Sequence, residues 1–205
     1  MKTIASSVFI LMAVNLFAGE GYKVGDKASD FKLKNVDGKT ISLADYPEAK
    51  GYIVVFTCNN CPYAKAYLDR IVALDKKYKN KGYPVIAINP NDPSVEPADS
   101  YENMVKLAKE EGLTFPYLYD DKHTTYKVYG ATNTPHIYIL QKNKSGEPVV
   151  KYIGTIDDNY QDPSAVKKPY IENAVEALLN NKEPEPNTTK AIGCSVKAKR
   201  DQASL

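Results

Sequence analysis

The sequence predicts an α/β sandwich around a central mixed sheet, extended at its N-terminus by a hairpin. Three observations predict it. Segments with strand-like and helix-like hydrophobic period alternate along the chain. Residues 52–56 and 84–88 are unbroken apolar runs, as expected of strands covered on both faces. Near the C-terminus two strand-like segments are separated by only a short turn.

Residues 31–34 and 40–43 alternate around Asp37-Gly38, a hairpin turn signal. The run 52–56 then passes directly into residues 62–80, where Tyr67, Leu68, Ile71, Val72, Leu74 and Tyr78 recur at helical spacing before Gly82. The run 84–88 is followed by a helix over 100–111, capped by Ser100 or Asp99 and stopped at Gly112. These units form a βαβ crossover. A short helical stretch precedes Gly130, and strands over 135–140 and 149–153 flank the turn Asn143-Lys144-Ser145-Gly146. A last helix is expected over 163–180, with Ile171, Val175, Leu178 and Leu179 on one face.

The 205 residues are 43% hydrophobic and 25% charged, which excludes collagen, a disordered tail and a polytopic membrane protein. A net charge of +2 and only two arginines, Arg70 and Arg200, give no field for a phosphate backbone, so no nucleic-acid partner is expected. Met1-Lys2 followed by the apolar stretch 4–17 and Ala18-Gly19 reads as a cleavable signal peptide over 1–18. The alternatives are a buried N-terminal helix or an uncleaved anchor. Cleavage implies a periplasmic or secreted protein without stable membrane insertion. The domain is expected over 19–180, and 181–205 form a tail that packs on it or extends from it.

Three cysteines are too few for a disulfide scaffold, so their placement carries the information. Cys58-Asn59-Asn60-Cys61 lies where the first buried strand ends and a helix begins, and Pro62 suits the first helical turn. A thiol there gains from unpaired backbone N–H groups and the helix dipole. Cys58 is expected to carry the lowered pKa and to attack, and Cys61 to lie deeper and resolve. The same spacing also builds half a zinc site or a static disulfide. A closed zinc site would need Cys194, His123 or His136, none at finger spacing. A disulfide closing so small a loop removes little unfolded-chain entropy. No metal and no cofactor are expected. Thr134-Pro135 opens a strand, and an X-Pro bond is the one peptide with an appreciable cis population.

Val24-Gly25-Asp26-Lys27-Ala28-Ser29-Asp30-Phe31 with Asp37-Gly38-Lys39, the stretch from Phe56 through Cys58 and Cys61 to Tyr63, Thr134-Pro135-His136 and Gly193-Cys194-Ser195-Val196-Lys197 carry a family resemblance. Over nearly all of the chain beyond the leader they resemble the thioredoxin-like superfamily. The closer likeness is to its redoxin branch, which includes alkyl hydroperoxide reductase and thiol-specific antioxidant proteins, and to a peroxiredoxin-like group carrying C-x-x-C. The resemblance implies a thioredoxin-like three-layer α/β/α sandwich, Cys58 and Cys61 as redox pair, and Pro135 as a cis proline beside them. Thr134 would then offer the edge on which an extended substrate strand pairs.

The chain departs from that pattern in places. It has no Trp, Thr57 stands where an aromatic usually precedes the pair, and residues 52–56 carry no buried carboxylate. A peroxidatic cysteine wants Thr or Ser three places earlier and Pro seven earlier. Cys58 has Val55 and Gly51 there, and Cys61 has Cys58 and Val54. The expected activity is therefore thiol:disulfide exchange with protein or small-molecule disulfides and a redox partner. The alternatives are a thiol-dependent peroxidase, or a copper-binding assembly module using Cys58, Cys61 and His136. Cys194 is a candidate accessory thiol or a half-buried inert one, and His136 a candidate modulator of thiol pKa or a packing residue.

Overall fold

A computed structural model describes residues 21–199, leaving the expected signal segment and Arg200 outside the described residues. The N-terminal hairpin pairs β1 (Leu33–Asn35) with β2 (Thr40–Ile41), Leu33 opposite Ile41. Gly38 makes the turn at φ +85, a conformation that costs glycine no Cβ clash. The expected second strand stops early because Ser42 opens a 3-10 turn over Leu43–Asp45, its N–H donating to Asp45 Oδ2 at 2.7 Å.

β3 (Gly51–Phe56) is buried at every residue and lies inside the sheet. It runs parallel to β4 (Val85–Asn89) through α1 (Pro62–Tyr78), and β4 runs parallel to β5 (Tyr117–Tyr119) through α2 (Tyr101–Glu110). After α3 (Thr125–Tyr129) come β6 (Asn133–Thr134), β7 (His136–Lys142) antiparallel to β3, and β8 (Pro148–Gly154) antiparallel to β7. The seven-stranded order is β2-β1-β5-β4-β3-β7-β8. The sheet is mixed, and the hairpin joins it through β1 and β5.

Alternation along the strands divides the core. Ile53, Val55, Val85 and Ala87 face Tyr67, Ile71 and Leu74 of α1 and Ile171 and Val175 of α4 (Tyr170–Leu179). Val54, Phe56, Ile86 and Ile88 face Tyr129, Phe31 and Leu43 on the other side. Together these layers make a thioredoxin-like α/β/α sandwich. Much of the core is tyrosine, whose hydroxyls reach partners: Tyr52 donates to Leu43 O at 2.8 Å and Tyr152 to Thr155 O at 2.7 Å.

The last helix begins at Tyr170, not at residue 163. A proline disfavours helical geometry in the residue before it, so Pro169 confines the preceding segment to a 3-10 turn, Pro163–Ala165, and a loop. Three short strands had not been expected: β5, and β6 with β9 (Cys194–Ser195), which pair in a separate two-stranded ribbon. Among the described residues no helix is long and apolar enough to cross a membrane.

Candidate active site

The parallel strand β3 delivers the chain to the sheet's C-terminal edge, where Cys58 and Cys61 sit between β3 and α1. Cys61 is the N-cap of α1, with extended backbone at φ −75 and ψ 128, and Pro62 follows at the first helical position. Both thiols are free and equally covered, Cys58 being 6% and Cys61 5% exposed, so Cys61 is not the deeper sulfur. They converge on one residue. Cys58 Sγ lies 3.1 Å from Thr134 Oγ1, and Cys61 Sγ–H donates to Thr134 O at 3.2 Å. The Thr134–Pro135 peptide is cis.

The groups around the two sulfurs favour charge on Cys61 over Cys58. Donation of its proton to Cys61, burial, and the negative field of Asp99 push the Cys58 thiol well above its ordinary value. Cys61 moves down, first because it accepts from the Cys58 thiol, and further because the Cys194 thiol and the backbone N–H groups of Ala64 and Cys194 favour charge on it. Burial acts the other way and raises it, and the net direction is down. The physical reason is position: Cys61, not Cys58, occupies the helix terminus, where N–H groups are unpaired.

A buried carboxylate does approach the pair, from a segment sequence reasoning treated only as a possible helix cap. Ser100 caps α2, accepting from Asn103 N at 3.3 Å, and the fully buried Asp99 turns inward. Asp99 Oδ1 accepts from Asn59 N at 2.6 Å and from Asn89 Nδ2 at 3.3 Å, and its Oδ2 from Asn91 Nδ2 at 2.6 Å. Desolvation nevertheless raises its pKa. Asn59 is held a second time, by Tyr117 OH donating to its Oδ1 at 2.8 Å. Asn59, between the cysteines, is therefore fixed by buried polar groups. The only sequence signal was the Asn89, Asn91, Asp99 cluster of small polar residues after a buried strand.

His136 does not supply a positive charge. Burial lowers its pKa to about 4, its Nδ1 accepts from Thr132 N at 3.3 Å, and its ring packs on Tyr138 at 4.9 Å. Among the described residues no three His, Cys, Asp or Glu side chains are arranged to hold a metal ion. His123 lies between β5 and α3, its Nδ1 3.2 Å from Pro90 O of the β4 to α2 connection. Cys194 does join the site: β9 places it opposite Thr134, and its side chain packs with Cys58, Cys61 and Tyr63.

The sequence profile described as the AhpC/TSA family matches residues 24–149. Over 166 residues the chain is 30% identical to the thiol-disulfide oxidoreductase ResA of Oceanobacillus iheyensis, covering 75% of this chain and 82% of that protein. A crystal structure of an uncharacterized conserved protein from Geobacillus kaustophilus superposes with a TM-score of 0.80 at 36% identity, covering 87% of this chain and 94% of the other. The thioredoxin domain of a thiol-disulfide oxidoreductase from Bacteroides vulgatus shares the fold, with a TM-score of 0.52 at 18% identity over 65% of this chain and 91% of that one.

Proposed function

The chain belongs to the AhpC/TSA family and is an oxidoreductase of the thioredoxin-like class, and from that premise we propose that it is an exported thiol:disulfide oxidoreductase in which Cys61 attacks and Cys58 resolves. The observation that carries this reading is the helix-cap position of Cys61, with Cys58 and Cys194 packed beside it. In the reductive direction Cys61 thiolate attacks one sulfur of a substrate disulfide, and the other leaves as a thiolate that takes a proton. Cys58, giving up its proton, then attacks Cys61 Sγ. The substrate leaves as a dithiol, and two electrons have passed from the pair to the substrate. The oxidative direction is the reverse, and the potential of the partner selects between them.

Thr134 supports a protein or peptide disulfide as substrate, because its backbone borders both sulfurs and pairs with an extended strand, here the chain's own β9, which an external strand would displace. The cavity behind Cys58, lined by Thr57, Asn59, Ala64 and Tyr117, holds about 20 Å³, the scale of one water and not of a substrate. Export rests on the apolar leader 4–17, and fractionation of cells expressing the full chain tests it: the processed protein is expected outside the cytoplasm, and full-length cytoplasmic protein contradicts export. For the chemistry, each cysteine is replaced by serine and single-turnover reduction of a peptide disulfide is followed. With Cys194 also replaced by serine, Cys58→Ser is expected to accumulate a mixed disulfide on Cys61, and Cys61→Ser to lose exchange. Wild-type rates in both variants overturn the assignment.

A further inference from the structure

The residues after the last helix are not a loose tail. Segment 193–197 is bound along its length: Asn133 Nδ2 donates to Gly193 O at 2.9 Å, Val196 N to Thr132 O at 3.0 Å, Lys197 N to Asn91 Oδ1 at 2.8 Å, and Asp92 N to Lys197 O at 2.7 Å. At its centre Cys194 is the register partner of Thr134 in an antiparallel pair. Gly193 lies so close to the Thr134–Pro135 peptide that a Cβ would overlap the Thr134 carbonyl and sit 2.9 Å from Pro135 N. The chain thus fills with its own strand the edge beside both sulfurs, and the residue it sets there is a cysteine.

From this arrangement we infer that β9 is an intramolecular substrate strand, and that Cys194 is a third redox thiol which exchanges disulfide partners with Cys61. Three observations converge. Cys194 packs in the same cluster as Cys58 and Cys61. Strand pairing fixes it at Thr134, the residue whose carbonyl lies 3.2 Å from Cys61 Sγ. The close fit at Gly193 and the hydrogen bonds on both sides hold it there.

The inference deepens the proposed function and rests on it, since Cys61 must be the reactive sulfur. After a substrate has been reduced, the pair holds a Cys58–Cys61 disulfide. Cys194 thiolate attacks Cys61 Sγ. The Cys61–Cys194 bond forms, the Cys58–Cys61 bond breaks, and Cys58 leaves as a thiolate that regains the proton Cys194 gave up. No electrons enter or leave, so the step is an isomerisation of one disulfide and needs no oxidant. Its consequence is mechanical. The new bond pins β9 on the Thr134 edge and closes that edge to an external strand until a reductant cleaves it.

Tryptic mapping of the full-length chain reads this directly, because Cys58 and Cys61 fall on peptide 51–65 and Cys194 on peptide 191–197. The protein is oxidised with diamide, acid-quenched, alkylated and digested without reduction. In the wild type a cross-linked 51–65/191–197 species is expected beside the internally bridged 51–65 peptide. Cys58→Ser should convert to the cross-linked species as its main product, and Cys61→Ser should lose it. In Gly193→Val the displaced strand should lose the cross-link while the internal bridge remains. If Cys194 stays fully alkylatable in the wild type and in Cys58→Ser, the third-thiol role is overturned. Peptide-disulfide reduction measured on reduced, unalkylated wild-type protein of the same preparation separates the two claims: reduction without a cross-link sinks only the tail's role, and absence of both sinks the exchange reading as well.

Discussion

At the scale of single residues, acidity at the site is set by which sulfur the backbone serves. Asp99 biases Cys58 against ionising while accepting three hydrogen bonds. Asp99→Asn places an amide where one of those donors points, and leaving it unpaired costs about 1–3 kcal/mol. The same change removes the negative field, so the pH at which Cys58 becomes alkylatable, read in a background lacking the other two thiols, is expected to fall. An unchanged pH profile contradicts that role. His136 gives a second test. Its folded-state pKa of about 4 lies below the ordinary 6.5, so the unfolded chain takes up the proton first. Stability is whole above pH 6.5 and declines as pH falls toward 4, by roughly 3 kcal/mol for that shift. In His136→Gln the loss between pH 7 and pH 4.5 in urea denaturation should be smaller by about that amount. The cysteine motif was legible in the sequence because it is local. The order of acidity was not, because the groups that set it, Thr134, Cys194 and Asp99, come from distant segments.

At the scale of elements, α1 holds the site at one end and is anchored at its side. Arg70 pairs with the buried Asp157 at 2.6 Å and donates to Asn159 O at 2.6 Å and Tyr160 O at 2.7 Å, while Tyr67 OH donates to Asp157 Oδ1 at 3.0 Å. This fixes the loop after β8, and Tyr160 in turn packs on Tyr63 at 4.5 Å, next to Cys61 and Cys194. Asp157→Ala leaves Arg70 without its counter-charge in a largely covered place, with an expected loss of about 3–5 kcal/mol in chemical denaturation. A loss below 1 kcal/mol would show that water replaces the carboxylate. Long periodic elements such as β3, α1 and β4 could be read from pattern alone. β5, three residues after Pro116, was too short to show a period, and Pro169 masked the start of α4 by interrupting a helical composition.

At the scale of the molecule, the sandwich brings Cys194, distant in sequence, to the Cys58 and Cys61 pair at one edge of the sheet. The crossover from β3 through α1 sets the pair, the connection into β7 sets Thr134 against it, and the chain beyond α4 returns along β8, where Thr188 bridges Ile153, before β9 reaches Thr134. That return path was invisible in a polar tail with no hydrophobic period, since its partners are backbone groups. The most direct test of the whole account is a redox titration of the full chain in dithiothreitol buffers, with acid quenching, alkylation and intact mass. A single reversible two-electron transition is expected in the wild type, lost in Cys61→Ser. Cys61 alkylatable at every potential, or an undiminished transition in Cys61→Ser, would contradict it.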